Sequence, residues 1–461
     1  MSALWTAFDI AEAAEGEVHG SFSANGVAFD SREVGPGDLF IAMKGEATDG
    51  HRFIDKAFAN RAAGAIVSEA IAQPHVRVAD TTAALNALGI AARKRTQARI
   101  IGVTGSVGKT GTKEALFAAL DRAAPGRVHR SVKSYNNHTG VPLSLARMPA
   151  DSRYGVFEMG MSAAGELAAL TGLVRPHVAI VTAIAPAHSA FFAGEEQIAD
   201  AKGEIFQGLE EGGTAIIPFD SPHRDRLIAA ARPYAMRILT FGRGAGADVR
   251  AREAVPTEKG TLVTAVLPDA ELTFTIAHPG NHWVSNALAL LAAVDALGGD
   301  LAAAGLALAD MQGLPGRGQR ITLAVDGGEA LLIDESYNAN PASMAATLGV
   351  LGQQQAERRI AVLGDMRELG GKSAAFHAGL ADPLRSANVD FALLVGDEMR
   401  ALGFALEGKI DFEHVPDAAA ALDRLSKLIA PGDAVLIKGS NAIGLAGVVQ
   451  ALASGKSICF T

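Results

Sequence analysis

The stretch "IIGVTGSVGKTGTKEALFAAL", Ile100 to Leu120, constrains the fold more than any other part of the chain. An apolar strand runs into a glycine-containing turn, and Lys109-Thr110 open a helix. Such a unit belongs in a mainly parallel sheet, because the helix carries the chain back for the next parallel strand. It also makes a phosphate cradle. Gly105 and Gly108 let the backbone approach phosphate oxygens, and the N–H groups at the helix start point at the anion. Lys109 offsets phosphate charge, and the Thr110 hydroxyl can hold magnesium. The loop Gly105-Ser106-Val107-Gly108-Lys109-Thr110-Gly111 is compressed: strict Walker spacing would put a glycine at Val103. The alternative is an ordinary strand–turn–helix connection. Gly-Lys-Thr placed directly between strand and helix favours phosphate binding.

This unit begins only at residue 99, so something folds ahead of it. A chain of 461 residues exceeds one hydrophobic core, and at ~150 residues per domain it should hold about three. Ahead of the loop, "GDLFIAM" and "AGAIVS" read as strands, and "HRFIDKAFANR" and "TTAALNALGIAARKR" as helices. After it, strand-like runs "YGVFEM", "HVAIVTAI" and "GTAIIP" alternate with helical ones. "TLVTAVLP" and "ELTFTIA" read as a hairpin beside that sheet, and "WVSNALALLAAVDALGG" as a glycine-terminated helix. "GLPGRGQR", residues 313–320, reads as a linker, and beyond it the alternation restarts as a second doubly wound unit. The expected fold is α/β in three domains. These are a small N-terminal α/β domain (1–97), a central mostly parallel-sheet nucleotide domain (98–314) and a C-terminal Rossmann-like domain (315–461). Hinges are expected near 97 and 313–318.

Composition narrows the partners. The formal net charge is −9 and no basic block stands out, which argues against nucleic acid. No apolar run reaches the ~18 residues of a membrane span. The single cysteine, Cys459, excludes an intrachain disulfide framework. The N-terminus lacks a basic-then-apolar signal pattern, so a cytoplasmic protein is expected, and a monomer.

Other residues could carry chemistry. Glu158 ends the strand "YGVFEM", and His188 follows another strand. Both fall near the phosphate loop and suit a hard cation, since magnesium takes few protein ligands. A solvated strand end and a capping or core histidine are equally open readings. Lys202, on a predicted helix, reads by itself as a surface lysine. In "DESYNANP", Asp334 ends a strand where a carboxylate can bind ribose, and Asn338 and Asn340 offer amides suited to a peptide-like ligand. A polar turn before a helix at Pro341 is the alternative. Arg317 could clamp phosphate across a cleft, or be a solvated linker arginine.

Taken together these residues resemble the Mur ligase family, which builds the peptidoglycan stem peptide. The compressed "TGSVGKTGTKE" is that family's form of the loop. "SYNNHTGVPLSL", "EMGMSAAGEL", "RPHVAIVTAIAPAH", "AKGEIF", "GNHWVSNALAL", "PGRGQR", "DESYNANPASM", "VLGDMRELG" with His377, and "VLIKGS" follow in order. "YNANP", "LGDMRELG" and the N-terminal "FDSREVGPGDLFIAMKGEATDGHRFI" are most similar to the member that ends the series. The resemblance implies an ATP-dependent ligase joining D-Ala-D-Ala to a UDP-N-acetylmuramoyl-tripeptide. It implies ATP phosphates on Lys109 and the loop, and magnesium on Thr110, Glu158, His188 and a carbamylated Lys202. His282 and Asn286 would lie near adenine, Arg317 near the phosphates, and Asp334 and Tyr337 near ribose and base. Ser31, Arg32, Lys44, Thr48, Asp49, Gly50 and His51 would face the UDP end of the substrate. Asn136 and Asn137 would place the acyl substrate, and Asn338, Asn340, Lys438 and Ser440 the incoming dipeptide. The chain departs from the family at Gly111 (usually Thr or Ser), Ser162 (Asn), Ser189 (Leu) and Asn441 (Arg). Rival readings are the third-residue ligase or a folylpolyglutamate synthase of the same fold, an ATP-binding scaffold, and a GTPase-type switch. No Asn-Lys-x-Asp guanine motif supports the last.

Overall fold

The computed structural model describes residues 3–45, 48–186, 192, 194–257 and 259–454. Among these the chain forms a five-stranded, a nine-stranded and a six-stranded sheet, with a two-stranded ribbon, Trp5–Thr6 against Ser23–Ala24. None of their helices is long and apolar enough to cross a membrane.

The nine-stranded sheet positions the phosphate loop. Strand Arg99–Thr104 lies between Tyr154–Glu158 on one side and Val178–Val181 on the other, all parallel. The chain leaves Arg99–Thr104 towards Val128–Arg130 and Tyr154–Glu158, then crosses to the opposite side for Val178–Val181. That reversal opens a crevice at the C-terminal end of Arg99–Thr104, where ligands bind in open α/β sheets. The predicted hairpin is present: Gly260–Val266 pairs antiparallel with Glu271–Ile276. Helices Lys109–Ala123 and Asn281–Ala296 pack on one face, Glu166–Val174 and Arg224–Ala231 on the other.

The N-terminal sheet holds Glu17–His19, His75–Arg77, Gly64–Val67, Asp38–Ile41 and Gly26–Ala28 in that order. Its helix Thr81–Arg95 has the predicted bounds, capped by Asp80 accepting from Thr82 and Ala83 N–H. The hinge expected near residue 97 does not fit the packing. Leu143 and Ala146, from helix Gly140–Ala146 beside the central sheet, share a buried cluster with Trp5, Leu85 and Leu88. The Trp5 indole donates to the Ala146 carbonyl at 2.8 Å, and Arg147 Nε to the Val27 carbonyl at 2.6 Å. Buried Arg93 donates to the Val174 and Arg175 carbonyls, each at 2.8 Å. An arginine buried without such partners would cost several kcal/mol, of order the penalty for an unpaired interior ion. The N-terminal and central sheets are therefore joined by a shared core.

The C-terminal sheet runs Gln319–Val325, Gly328–Glu335, Asp433–Lys438, Arg358–Gly364, Phe391–Val395 and Asp411–Val415, parallel after the first pair. Both of its buried clusters draw only on residues beyond 320. It is tethered through the turn containing Gly316 and Gly318, both at positive φ (73° and 84°). This turn occupies the expected joint at 313–318, with Gly316 N and Gly318 N both donating to Asp334.

Candidate functional site: a cleft between two α/β sheets

A cavity of about 840 Å³ opens between the C-terminal ends of the central and C-terminal sheets. Ser106, Val107, Gly108, Lys109, Thr110 and Gly111 form its floor, with Asn136, Asn137 and Glu158 along one wall. His282 and Asn286 enter from helix Asn281–Ala296. From the other side come Arg317, Tyr337, Asn338, Asn340 and Lys438.

The loop needs its glycines. Gly108 has φ 84°, and a Cβ there would stand 2.7 Å from Asn286 Oδ1. Gly105 has φ 150°, and its Cβ would meet Thr182 Oγ1 at 1.9 Å. The departure at Gly111 has a local cause, since a Cβ there would approach the Trp283 ring at 3.1 Å. Lys109 folds back so that Nζ donates to the Gly105 carbonyl at 2.6 Å. Burial pulls its pKa below the ordinary lysine value, and Glu158 partly offsets that.

Glu158 is 1% exposed. One carboxylate oxygen accepts from Thr110 Oγ1 at 2.7 Å and the other from Asn136 Nδ2 at 2.8 Å. A hydroxyl and a carboxylate thus meet directly beneath the loop, the hard oxygen set that magnesium takes alongside phosphates. His188 and Ser189 lie outside the described residues. Among the described residues there is no cluster of three or more His, Cys, Asp or Glu side chains suited to a metal.

Lys202 is not at the surface. It is 1% exposed on helix Glu195–Gly203. Burial drives its pKa well below the ordinary value, and the nearby Lys109 charge adds to that.

Across the cleft, Arg317 lies over the Tyr337 ring, 4.0 Å from its centroid, and donates to Ser134 Oγ at 3.2 Å. Asp334 is buried, and its carboxylate accepts from Gly316 N (2.7 Å), Ser336 N (3.0 Å) and Ser336 Oγ (2.6 Å). In this arrangement it organises the tether. Lys438 donates to the Asn338 carbonyl at 2.9 Å and lies 3.5 Å from Glu335. Burial works against both charges, raising the Glu335 pKa and lowering that of Lys438, and each partly restores the other. The His282 pKa is pushed down to about 4, chiefly by burial. Asn340 caps helix Pro341–Gly352 through Ser343 N. Ser440 stands behind the wall, its Oγ accepting from Arg367 N at 2.9 Å, and Asn441 opens an exposed 3-10 turn. Ser162 N donates to Glu166 at 2.7 Å.

The N-terminal set lies away from the cavity lining. Arg32 pairs with Asp30 at 2.6 Å, and the buried Ser31 offers its carbonyl to Asn60. Lys44 bridges to Asp49, and Gly45 N donates to the Thr48 carbonyl. A Cβ on Gly50 would sit 2.7 Å from the Met43 backbone. His51 Nε2 accepts from Ser68 N at 2.9 Å, so its Nδ1 carries the proton shared with Asp49 at 2.6 Å. The neighbouring Glu33 bonds Tyr135 Oη at 2.7 Å and Lys133 Nζ. That contact ties the Ser31–Arg32 turn to the segment leading into Asn136 and Asn137.

Sequence reasoning missed Lys113, Thr182, Trp283 and Glu335. Lys113 was legible only as the residue one turn after Lys109, on the same helix face.

A phosphate loop, a carboxylate behind it and a second sheet facing it define a nucleotide-using ligase of the three-sheet type. Family models agree: residues 23–122 match the Mur ligase family catalytic domain, 103–294 the Mur ligase middle domain, and 316–441 the Mur ligase glutamate ligase domain. The chain belongs to the Mur ligase family. Within it the likeness is to the MurF type. The UDP-N-acetylmuramoyl-tripeptide–D-alanyl-D-alanine ligase of Escherichia coli is 36% identical over 95% of this chain and 96% of the relative. A crystal structure of MurF from Acinetobacter baumannii superposes with a TM-score of 0.84 at 33% identity, covering 98% of this chain and 99% of the other. MurF from Thermotoga maritima, solved in complex with ADP, gives 0.78 at 28% identity, covering 94% and 97%.

Proposed function

We propose that this chain joins D-Ala-D-Ala to UDP-N-acetylmuramoyl-tripeptide, using ATP, through an acyl phosphate. What carries the reading is a single cavity that holds a phosphate loop on one wall and amide and ammonium groups on the other, in a chain matched end to end by MurF-type relatives. A carboxylate does not react with an amine unaided. ATP phosphorylates the tripeptide's terminal carboxylate, and the dipeptide amine then attacks the carbonyl and expels phosphate. Two anions must first meet. Lys109 and the loop N–H groups bind the phosphates, and Arg317 clamps them from the facing side. Thr110, Glu158 and His188 would hold magnesium, which supplies charge neutralisation at the transferring phosphoryl group. Asn136 and Asn137 position the acyl substrate. Asn338, Asn340 and Lys438 receive the dipeptide, with Ser440 supporting that wall from behind, and the Ser31–Arg32 and Lys44–His51 turns receive the UDP end.

Lys202 is read as a carbamylation site. Burial disfavours its charged form, and the neutral amine adds to carbon dioxide, releasing a proton and leaving an anionic carbamate beside Lys109. The burial of Lys202, with the Lys109 charge nearby, supports this. An intact-protein NMR spectrum with labelled bicarbonate should show a carbamate signal that Lys202→Ala loses.

With an unperturbed pKa of ~7.7–8.0, only about a tenth to a fifth of the dipeptide amine is neutral at pH 7. The acyl phosphate hydrolyses readily, so the cleft must exclude water, and closure of the C-terminal sheet over the central one does this. The reading takes the enzyme as a cytoplasmic monomer. The test is phosphate release with each candidate UDP-muramoyl peptide against an amine panel. The reading predicts turnover only with the tripeptide and D-Ala-D-Ala together. Turnover with a diamino acid on the dipeptide precursor, or with glutamate on a folate, would replace it.

A further inference from the structure

We infer that Lys113 is a positioning residue for the phosphoryl-transfer site. It holds the 131–137 segment so that Asn136 fixes the Glu158 carboxylate for a magnesium–nucleotide, a role that rests on the reading proposed above.

Lys113 lies one turn beyond Lys109 and Thr110 and is wholly buried. A buried ammonium survives only if its three donors are met. Nζ donates to the Ser131 and Lys133 carbonyls, each at 2.9 Å, and pairs with Glu114 at 2.9 Å; Glu158 stands 4.0 Å away. Lys133 adopts φ 55°, a left-handed conformation that a non-glycine residue takes at a cost. The Lys113 bond to that residue's carbonyl offsets it.

The segment so held continues into the site. Ser131 Oγ accepts from Glu158 N at 3.2 Å, and the Asn136 carbonyl accepts from Gly160 N at 2.8 Å. Strand Tyr154–Glu158 is thus bracketed on both sides of its last residue. One Glu158 oxygen is then fixed by Thr110 from the helix and the other by Asn136 from the segment. Lys113 ties the helix to the segment, so it sets the angle between these two bonds. A lysine that merely filled the core would lower stability without touching metal dependence.

The test reads binding of a non-hydrolysable ATP analogue to the full chain by calorimetry across a magnesium series, for wild type, Lys113→Met, Asn136→Ala and the double variant. Lys113→Met should raise the magnesium concentration for half-maximal binding by about tenfold, while metal-free nucleotide affinity moves less than twofold. Asn136→Ala should do likewise, and the double variant no more than the larger single change. An unchanged magnesium series in a folded Lys113→Met, or additive effects, overturns the inference. If Lys113→Met does not fold, an unchanged series in Asn136→Ala overturns it alone. No amine substrate is used, so failure here leaves the dipeptide assignment standing, and failure of that assignment leaves this result interpretable.

Discussion

At the scale of single residues, the site depends on positions where nothing larger fits. Gly108 combines a left-handed backbone with contact to Asn286, so Gly108→Ala must either strain the loop or displace that side chain. The expected cost is about 1–2 kcal/mol of stability, with nucleotide affinity falling at least tenfold in calorimetry. Unchanged affinity would show that the loop does not grip phosphate. A second residue-scale prediction concerns pH. His129 is packed between Phe157 and the Ser144 carbonyl, and burial lowers its pKa from 6.5 to about 4. His177 is lowered likewise, with Ile100 N donating to its Nδ1. Because the folded pKa lies below the unfolded one, the unfolded chain takes up protons first as pH falls. Stability is full above about pH 6.5 and drains towards pH 4. Thermal melts should shift downwards between pH 7 and 5, less so in His129→Asn. Lys109, Thr110 and Glu158 were legible from local loop chemistry, whereas His282, Asn286, Asn136 and Lys438, which line the cleft with them, came only from the resemblance. Lys113 was named by neither, because what makes it matter is a carbonyl eighteen residues further on.

At the scale of elements, periodicity located what it could. Helix Thr81–Arg95 and strands Tyr154–Glu158 and Thr214–Pro218 fall where their patterns place them. Strand Val249–Thr257 was not read, since its charged, largely exposed "VRAREAVPT" gains its order from antiparallel pairing with Gly260–Val266. The hinge near 97 was misread for a related reason: Leu143 and Ala146 complete the N-terminal core from far along the chain. Arg93 tests that shared core. Arg93→Met should lower the urea midpoint by the equivalent of about 2–3 kcal/mol, through three lost bonds, with Glu210 left to pair with Arg175 alone. The N-terminal and central sheets should still unfold in one transition. Two separate transitions in the wild type would refute the shared core.

At the scale of the whole molecule, two bodies face each other: the fused N-terminal and central sheets, and the C-terminal sheet with its own core. The direct links seen between them are slight, Arg317 to Ser134 among them, beside a tether of positive-φ glycines. We propose that the cleft closes by motion at 313–318. The radius of gyration in solution should fall when ATP analogue and tripeptide are both added, and an unchanged value would count against closure. The central claim is that ATP and a carboxylate react in this one cleft before any amine does. Its most direct test labels the tripeptide's terminal carboxylate with oxygen-18 and follows a full turnover with D-Ala-D-Ala. The account predicts one labelled oxygen in each phosphate released, carried over from the acyl phosphate. Phosphate free of label, with the dipeptide joined, would contradict it.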